Sequence, residues 1–304
     1  NEKILNGEVN DVIRISEAFH EKRIGQIADM ICKDDDINMI LIAGPSSSGK
    51  TTFAQRLAVH LKVNGKRPIE ISIDDYFVDR KYTPITEDGE YDFESLEAID
   101  LKRFNKDLVK LLEGEEIGLP KYNFIEGTSE ESGVKIRVDK DHPIIVEGIH
   151  GLNPKLAQYI PEKNKFKIYI SALTQLSIDA HNRIPTTDTR LIRRIVRDYK
   201  YRGNSVFRTF ELWQGVRKGE EDNIFPYQEE ADVMFDSALV YELSVLKKHI
   251  VPLLKEIDNN SIYYSEAKML LKFLSYFKDI EDESIIPPNS ILREFIGGTG
   301  FDIH

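Results

Sequence analysis

Apolar residues follow two rhythms along this chain, one of strands and one of helices. Ile37, Met39, Ile40, Leu41, Ile42 and Ala43 form a near-continuous apolar run, which reads as a strand buried on both faces. Ile69-Glu70-Ile71-Ser72-Ile73-Asp74 alternates instead, as a strand with one covered face near a sheet edge does. Further strands are predicted over 143–149, 166–170 and 232–235. Helical spacing appears over 10–31 (Val12, Ile13, Ile15, Phe19, Ile24, Ile27, Ala28, Ile31), over 53–61, over 189–199 and over 263–280. Near the end, Pro287-Pro288 starts and Gly297-Gly298 stops a short helix. Strands alternating with helices predict an α/β fold with a mostly parallel sheet and helices on both faces. Segments 79–100 and 115–142 are polar, with scattered aromatics and glycines. They are long for passive connectors, so they are expected to cover a substrate.

Between the first strand and the helix after it stands Gly44-Pro45-Ser46-Ser47-Ser48-Gly49-Lys50-Thr51-Thr52, a complete G-x-x-x-x-G-K-[ST] loop. The glycines let the backbone curl with its N–H groups inward, Lys50 reaches the β/γ-phosphates, and Thr51 offers a hydroxyl to Mg²⁺. Gly44, Ser46, Ser47, Ser48, Gly49, Lys50, Thr51 and Thr52 are therefore the expected nucleotide contacts. The strand at 143–149 ends its apolar run in Glu147, the look of a Walker-B acid that holds Mg²⁺ directly or through water. Asp74 and Asp75 follow the second strand. If the strand's alternation runs through them, one carboxylate faces the site and the other faces away. In a parallel sheet ligands gather at the carboxyl ends of the strands, where the loop, Asp74 and Glu147 all fall.

Thr189-Arg190-Leu191-Ile192-Arg193-Arg194-Ile195-Val196-Arg197-Asp198 carries a basic stripe. At about 100° per residue, Arg190, Arg193, Arg194 and Arg197 share one arc, with Leu191, Ile192, Ile195, Val196 and Tyr199 opposite. Four guanidiniums crowded without interleaved acids repel one another unless an anion sits among them, so phosphate contact from a mobile helix is expected.

The chain has 304 residues, 41% hydrophobic and 31% charged, which is enough for a substantial core without staples. Its net charge of -11 argues against a nucleic-acid backbone as the main partner. Cys32, the single cysteine, excludes an internal disulfide and makes a zinc cluster an unsupported reading. No apolar run is long enough for a membrane span and no secretory leader is visible, so a cytoplasmic enzyme is expected. The chain begins with Asn1 rather than Met, as a piece of a longer protein would.

Taken in order, these parts resemble the uridine–cytidine kinase and phosphoribulokinase family of P-loop kinases, over roughly residues 38–256. The resemblance rests on the loop at 44–51, Asp74-Asp75-Tyr76-Phe77, Tyr91-Asp92-Phe93-Glu94, Tyr122-Asn123-Phe124, Val146-Glu147-Gly148-Ile149 and the arginine helix. It implies that Asp74 is the base accepting the proton of an attacking hydroxyl. Phe77, Phe93, Tyr122 and Phe124 would line an acceptor pocket, and Glu94 would hold ribose hydroxyls. Glu147 would be the Walker-B acid, and Arg194 and Arg197 lid arginines. Two positions depart from the family pattern. Gly127 stands where uridine–cytidine kinases carry a pyrimidine-reading histidine, and Ser95-Leu96 replaces a His-Pro. His142 and His150 lie in different elements and read as structural.

The expected reaction is transfer of the γ-phosphoryl of ATP, with Mg²⁺, to a hydroxyl of a small acceptor, foremost a nucleoside 5′-OH. A sugar-phosphate kinase is the runner-up and would need basic residues outside the lid, such as Lys81 or Lys121. A non-catalytic nucleotide switch is the third reading, disfavoured by Asp74, Glu147 and the arginines. The organisation expected is a helical segment over 1–36, a P-loop kinase domain over 37–258 with a lid near 185–205, and a helical extension over 259–304. A homo-oligomer is compatible with this layout, and neither nucleic acid nor membrane is an expected partner.

Overall fold

The computed structural model describes residues 1–86, 89–123, 126–139, 142–173 and 184–301. A short helix α1 (Glu2–Leu5) and a long one, α2 (Val9–Cys32), precede β1 (Met39–Ala43). Then come α3 (Lys50–Val63), β2 (Ile69–Ser72), α4 (Leu101–Leu112), β3 (Ile117–Asn123), β4 (Thr128–Ile136), β5 (Ile144–Glu147) and β6 (Lys165–Ser171). Helices α5 (Thr186–Tyr201) and α6 (Val206–Asn223) lead to β7 (Val233–Asp236), α7 (Glu242–Leu254), α8 (Tyr264–Leu274) and α9 (Arg293–Ile296).

Strands β2, β5, β1, β6 and β7 make one sheet in that order, with every neighbouring pair parallel. The apolar run of β1 puts it at the centre, buried along its length, and the alternating β2 lies at the edge. Side chains alternate across the sheet. Ile40, Ile42, Ile145, Ile168 and Ile170 face one core, whereas Met39, Leu41, Ala43, Ile144 and Val146 face the other. The first core is covered by α2, α3, α5, α6, α7 and α8, and the second by α4 with the β3–β4 ribbon. The protein is thus an α/β protein with a parallel sheet between helical layers. Among the described residues no helix is long and apolar enough to cross a membrane.

Three elements differ from their sequence reading. The second strand stops at Ser72, and Ile73–Tyr76 winds into a 3-10 turn. Segment 115–142 contains an antiparallel ribbon, β3 with β4, whose register shifts between Gly118 and Pro120. The helix expected over 263–280 spans only Tyr264–Leu274.

Both chain ends share the first core. Ile13, Ile24 and Ile27 of α2 and Ile291, Leu292 and Phe295 near α9 cluster with Phe53 and Leu57 of α3. Glu17 of α2 ties them together, accepting hydrogen bonds from Tyr241 Oη (2.5 Å) and Ser290 Oγ (2.6 Å). The sheet order also sets the site. Glu147 of β5 is in register with Ile42 of β1 on one side and Ser72 of β2 on the other. The loop after β1, the turn after β2 and the acid ending β5 therefore open on one edge.

Candidate active site

The loop after β1 turns through a left-handed Ser47 (φ 60°) and a left-handed Gly49 (φ 86°) that precedes α3. A side chain at Gly49 would meet Ile291 Cγ2 at 2.5 Å, so only glycine fits there. The first turn of α3 then directs its N–H groups at the loop's concavity, an anion site by construction. Lys50 folds over the loop, its Nζ donating to the carbonyls of Gly44 (2.9 Å) and Pro45 (3.3 Å). The buried hydroxyls of Ser47 and Ser48 have no hydrogen-bond partner among the described residues. Buried polar groups are rarely left unpaired, so these two donors, with the lysine and the helix start, fit the phosphates of a nucleotide. Thr51, on the first turn of α3, and Glu147 fit the Mg²⁺ that accompanies it.

Glu147 accepts a hydrogen bond from Ser72 Oγ at 3.1 Å. Burial pushes its pKa up to about 7; the charges of Asp74 and Glu294 add to the rise, while Lys50 and the Ser72 bond oppose it. Asp74 sits on the 3-10 turn, open to solvent at the cleft yet flanked by enough protein to raise its pKa. Lys50, Arg202 and Arg197 pull it back down. Strand alternation does not decide between Asp74 and Asp75, because the chain has left the strand. On the turn, Asp74 lies within reach of the charges of Lys50, Arg202 and Arg197, whereas Asp75 accepts from the backbone N–H of Tyr122 on the ribbon.

Phe77 meets Phe93 edge-on with ring centres 5.7 Å apart, and Tyr122 at 5.5 Å. The three sequence-distant aromatics therefore come together; Phe124 lies outside the described residues. Glu94 follows Phe93 in a turn fixed by Asp92, whose Oδ1 accepts from the N–H groups of Glu94 and Ser95, both at 3.1 Å. Burial raises the pKa of Glu94 to about 7, against the attraction of Arg194.

The arginines are not a bare cationic stripe. Arg190 makes a two-pronged pair with Glu220 (2.5 and 2.8 Å) and donates to Ser46 O at 3.2 Å. Arg193, without exposed surface, pairs with Glu242 (2.9 Å from Nε) and donates to Ser47 O at 3.3 Å. Arg194 donates to Ser46 Oγ at 2.8 Å and lies 3.2 Å from Asp198. Arg197 pairs with Asp198 at 3.0 Å. The expectation of four arginines without acids is thus corrected: α6 and α7 supply carboxylates to Arg190 and Arg193 from far along the chain, and Asp198 of α5 itself serves Arg194 and Arg197. Tyr199, placed on the apolar side by its spacing, is exposed. Helix α5 is buried on both sides and stands against the loop rather than apart from it as an open lid.

A family model describing the phosphoribulokinase / uridine kinase family matches residues 39–244, more than half of the chain. The protein belongs to this family. A uridine kinase of Mycoplasma pneumoniae is 27% identical over 228 residues, covering 70% of this chain and 96% of that one. A uridine kinase of Aliivibrio salmonicida is 30% identical over 220 residues, covering 70% and 94%. A solved structure described as a possible uridine kinase from Bacillus stearothermophilus aligns with a TM-score of 0.47 at 19% identity, over 71% of this chain and 98% of that one. As a family member the protein is an ATP-dependent phosphotransferase acting on a small molecule.

Within this kinase, three residues near the loop escaped the sequence reading. Arg202 faces Asp74 and Asp198, and crowding by Arg197 lowers its pKa to about 10. Its position four residues after Asp198 is the helical acid–base spacing that signals such a pair. Glu220 accepts from the Ser46 N–H at 3.0 Å, and Glu294 accepts from Thr52 Oγ1 at 2.7 Å. Nothing local in the sequence marks either contact, and Glu294 lies beyond the matched residues.

Proposed function

We propose that this kinase moves the γ-phosphoryl group of ATP onto a primary hydroxyl of a small acceptor, the 5′-hydroxyl of a nucleoside. The observation that carries this reading is the place of Asp74, on the turn that follows β2 at the same sheet edge as the loop and Glu147, where the charges of Lys50, Arg202 and Arg197 reach it. A nucleotide sensor needs a phosphate loop and its lysine. Transfer needs in addition a carboxylate that can take the acceptor's proton, the role proposed for Asp74.

In the proposed step the acceptor oxygen bonds to the γ-phosphorus as the bond from that phosphorus to the bridging oxygen breaks. ADP leaves, and the acceptor's proton passes to Asp74. The raised proton affinity of Asp74 suits a base of this kind. Lys50, the loop N–H groups, Arg194 and Arg197 align the phosphates and offset their charge. Mg²⁺ held by Thr51 and Glu147 would add charge neutralisation on the phosphate oxygens.

The nucleoside reading draws support from the Phe77–Phe93–Tyr122 cluster, an apolar wall for a base. Glu94 beside it would accept from ribose hydroxyls. Uridine kinases among the relatives point the same way. A phosphorylated sugar finds less support: Lys81 is engaged by Asp79 at 3.5 Å and stacks on Tyr82.

The test is ADP release from Mg·ATP across a panel of nucleosides and sugar phosphates. Turnover is expected with nucleosides only, and Asp74→Asn should lose about 10²–10⁴-fold in turnover while binding ATP within about twofold of wild type. Turnover confined to sugar phosphates would replace the acceptor assignment. Acceptor-independent hydrolysis, or none, would overturn transfer altogether.

A further inference from the structure

The segment after α8 ends in a buried brace behind the phosphate loop. Ile291, Leu292 and Phe295 have no exposed surface, and Ile291 fills the space beside Gly49. Phe295 packs under the guanidinium of Arg193 at 5.1 Å, and Lys200 of α5 donates to the carbonyl of Ile296. Arg293 clasps the segment onto itself, donating to the carbonyls of Glu283 (2.6 Å) and Ile286 (2.8 Å). The segment therefore touches both the loop and the arginine helix.

A buried polar contact runs from this brace into α3. Thr52 Oγ1 donates to Glu294 Oε2 at 2.7 Å, with Thr52 fully buried and Glu294 nearly so. Burying a carboxylate is costly, and a packing role alone would be served as well by an apolar pair. Thr52 shares the first turn of α3 with Lys50 and Thr51, the turn whose N–H groups a phosphate would meet. A fixed Thr52 hydroxyl fixes the pitch and aim of that turn.

We propose that Glu294 is a positioning residue for nucleotide binding, holding the Thr52 hydroxyl and so making the C-terminal segment part of the nucleotide site. This rests on the reading that the loop and Thr52 cradle phosphates. It adds a determinant that lies outside the matched family region.

The test uses the full chain, calorimetric titration with Mg·ADP, and steady-state kinetics with Mg·ATP. Glu294→Ala and Thr52→Val should each raise the Kd for Mg·ADP about tenfold, the loss of one buried hydrogen bond. The double variant should lose clearly less than the sum of the two single losses, because both remove the same contact. Glu294→Gln still offers an oxygen to Thr52 and should stay within about threefold of wild type. In kinetics the loss should appear in KM for ATP rather than in kcat. A merely structural brace would lower the unfolding temperature and leave Kd unchanged, which overturns the proposal, as would additive losses in the double variant. If Glu294→Ala does not fold, Glu294→Asp decides, since its shorter side chain keeps the charge but draws the carboxylate away from Thr52: weakened binding in the folded variant upholds the proposal, and native binding overturns it. Wild-type protein that binds no Mg·ADP would instead strike the assignment of the loop itself.

Discussion

Glu220 accepts the amide N–H of Ser46 at 3.0 Å with the same carboxylate that receives both prongs of Arg190. One acid on α6 thus pins the phosphate loop to α5, and it does so almost completely buried. Glu220→Ala would leave the Arg190 guanidinium buried without its counter-charge and the Ser46 N–H without an acceptor. Breaking a buried pair from one side costs about 3–5 kcal/mol, so the urea midpoint should fall markedly. Glu220→Gln keeps an acceptor for Ser46 and should cost less. A native-like midpoint for the alanine variant would mean that the pair adds nothing net to the fold.

What was legible in the sequence tracks how local each signal is. The unbroken apolar run of β1 follows from burial on both faces, and the alternation of β2 from its edge position. The loop is legible because its glycines and lysine are contiguous. The β3–β4 ribbon is not: β4 is largely exposed, so it has no apolar period to read, and Gly118 and Pro120 interrupt β3. The arginine stripe was half legible. Its helix and phase could be read, but Glu220 and Glu242 lie about 30 and 49 residues away, and only the fold brings them in. The short helix after Pro287-Pro288 was visible from its punctuation, whereas its seat behind Gly49 carries no local mark.

Arg193 and Arg197, one turn apart on α5, should fail in opposite ways. Arg193 is fully buried against Glu242, Ser237 and Phe295. Arg193→Ala leaves Glu242 uncompensated and should cost about 3–5 kcal/mol of stability. Arg197 lies close enough to Asp74 to lower its pKa, and its partner Asp198 is also served by Arg194 and Arg202. Arg197→Ala should therefore unfold near the wild-type midpoint while losing about 10³-fold in turnover. Chemical unfolding and ADP release on the two variants separate a pillar of the loop from an arginine that faces the reaction. Equal stability losses would refute the division.

Glu94 should trade stability for function in a way that pH exposes. Its folded pKa of about 7 stands above the ordinary glutamate value of 4.5, so between those pH values the folded protein holds a proton that the unfolded chain has released. Stability from this group is complete below pH 4.5 and is lost as pH rises through about 7, because above that the buried site must hold a charge. His150, pushed down to about 4 by burial, works the other way: its contribution is present above 6.5 and is lost as pH falls toward 4. Whole-protein profiles blend the two, so the clean comparison is Glu94→Gln against wild type. The variant should be more stable by about 2 kcal/mol at pH 8, with the difference vanishing near pH 4 as both side chains become neutral. The same substitution should weaken acceptor binding, since the amide offers ribose hydroxyls one neutral accepting oxygen where the carboxylate offers two charged ones. Urea midpoints at several pH values, beside KM for the acceptor at pH 8, measure both halves. A variant no more stable than wild type at pH 8 would show that Arg194 already repays the cost of burying that charge.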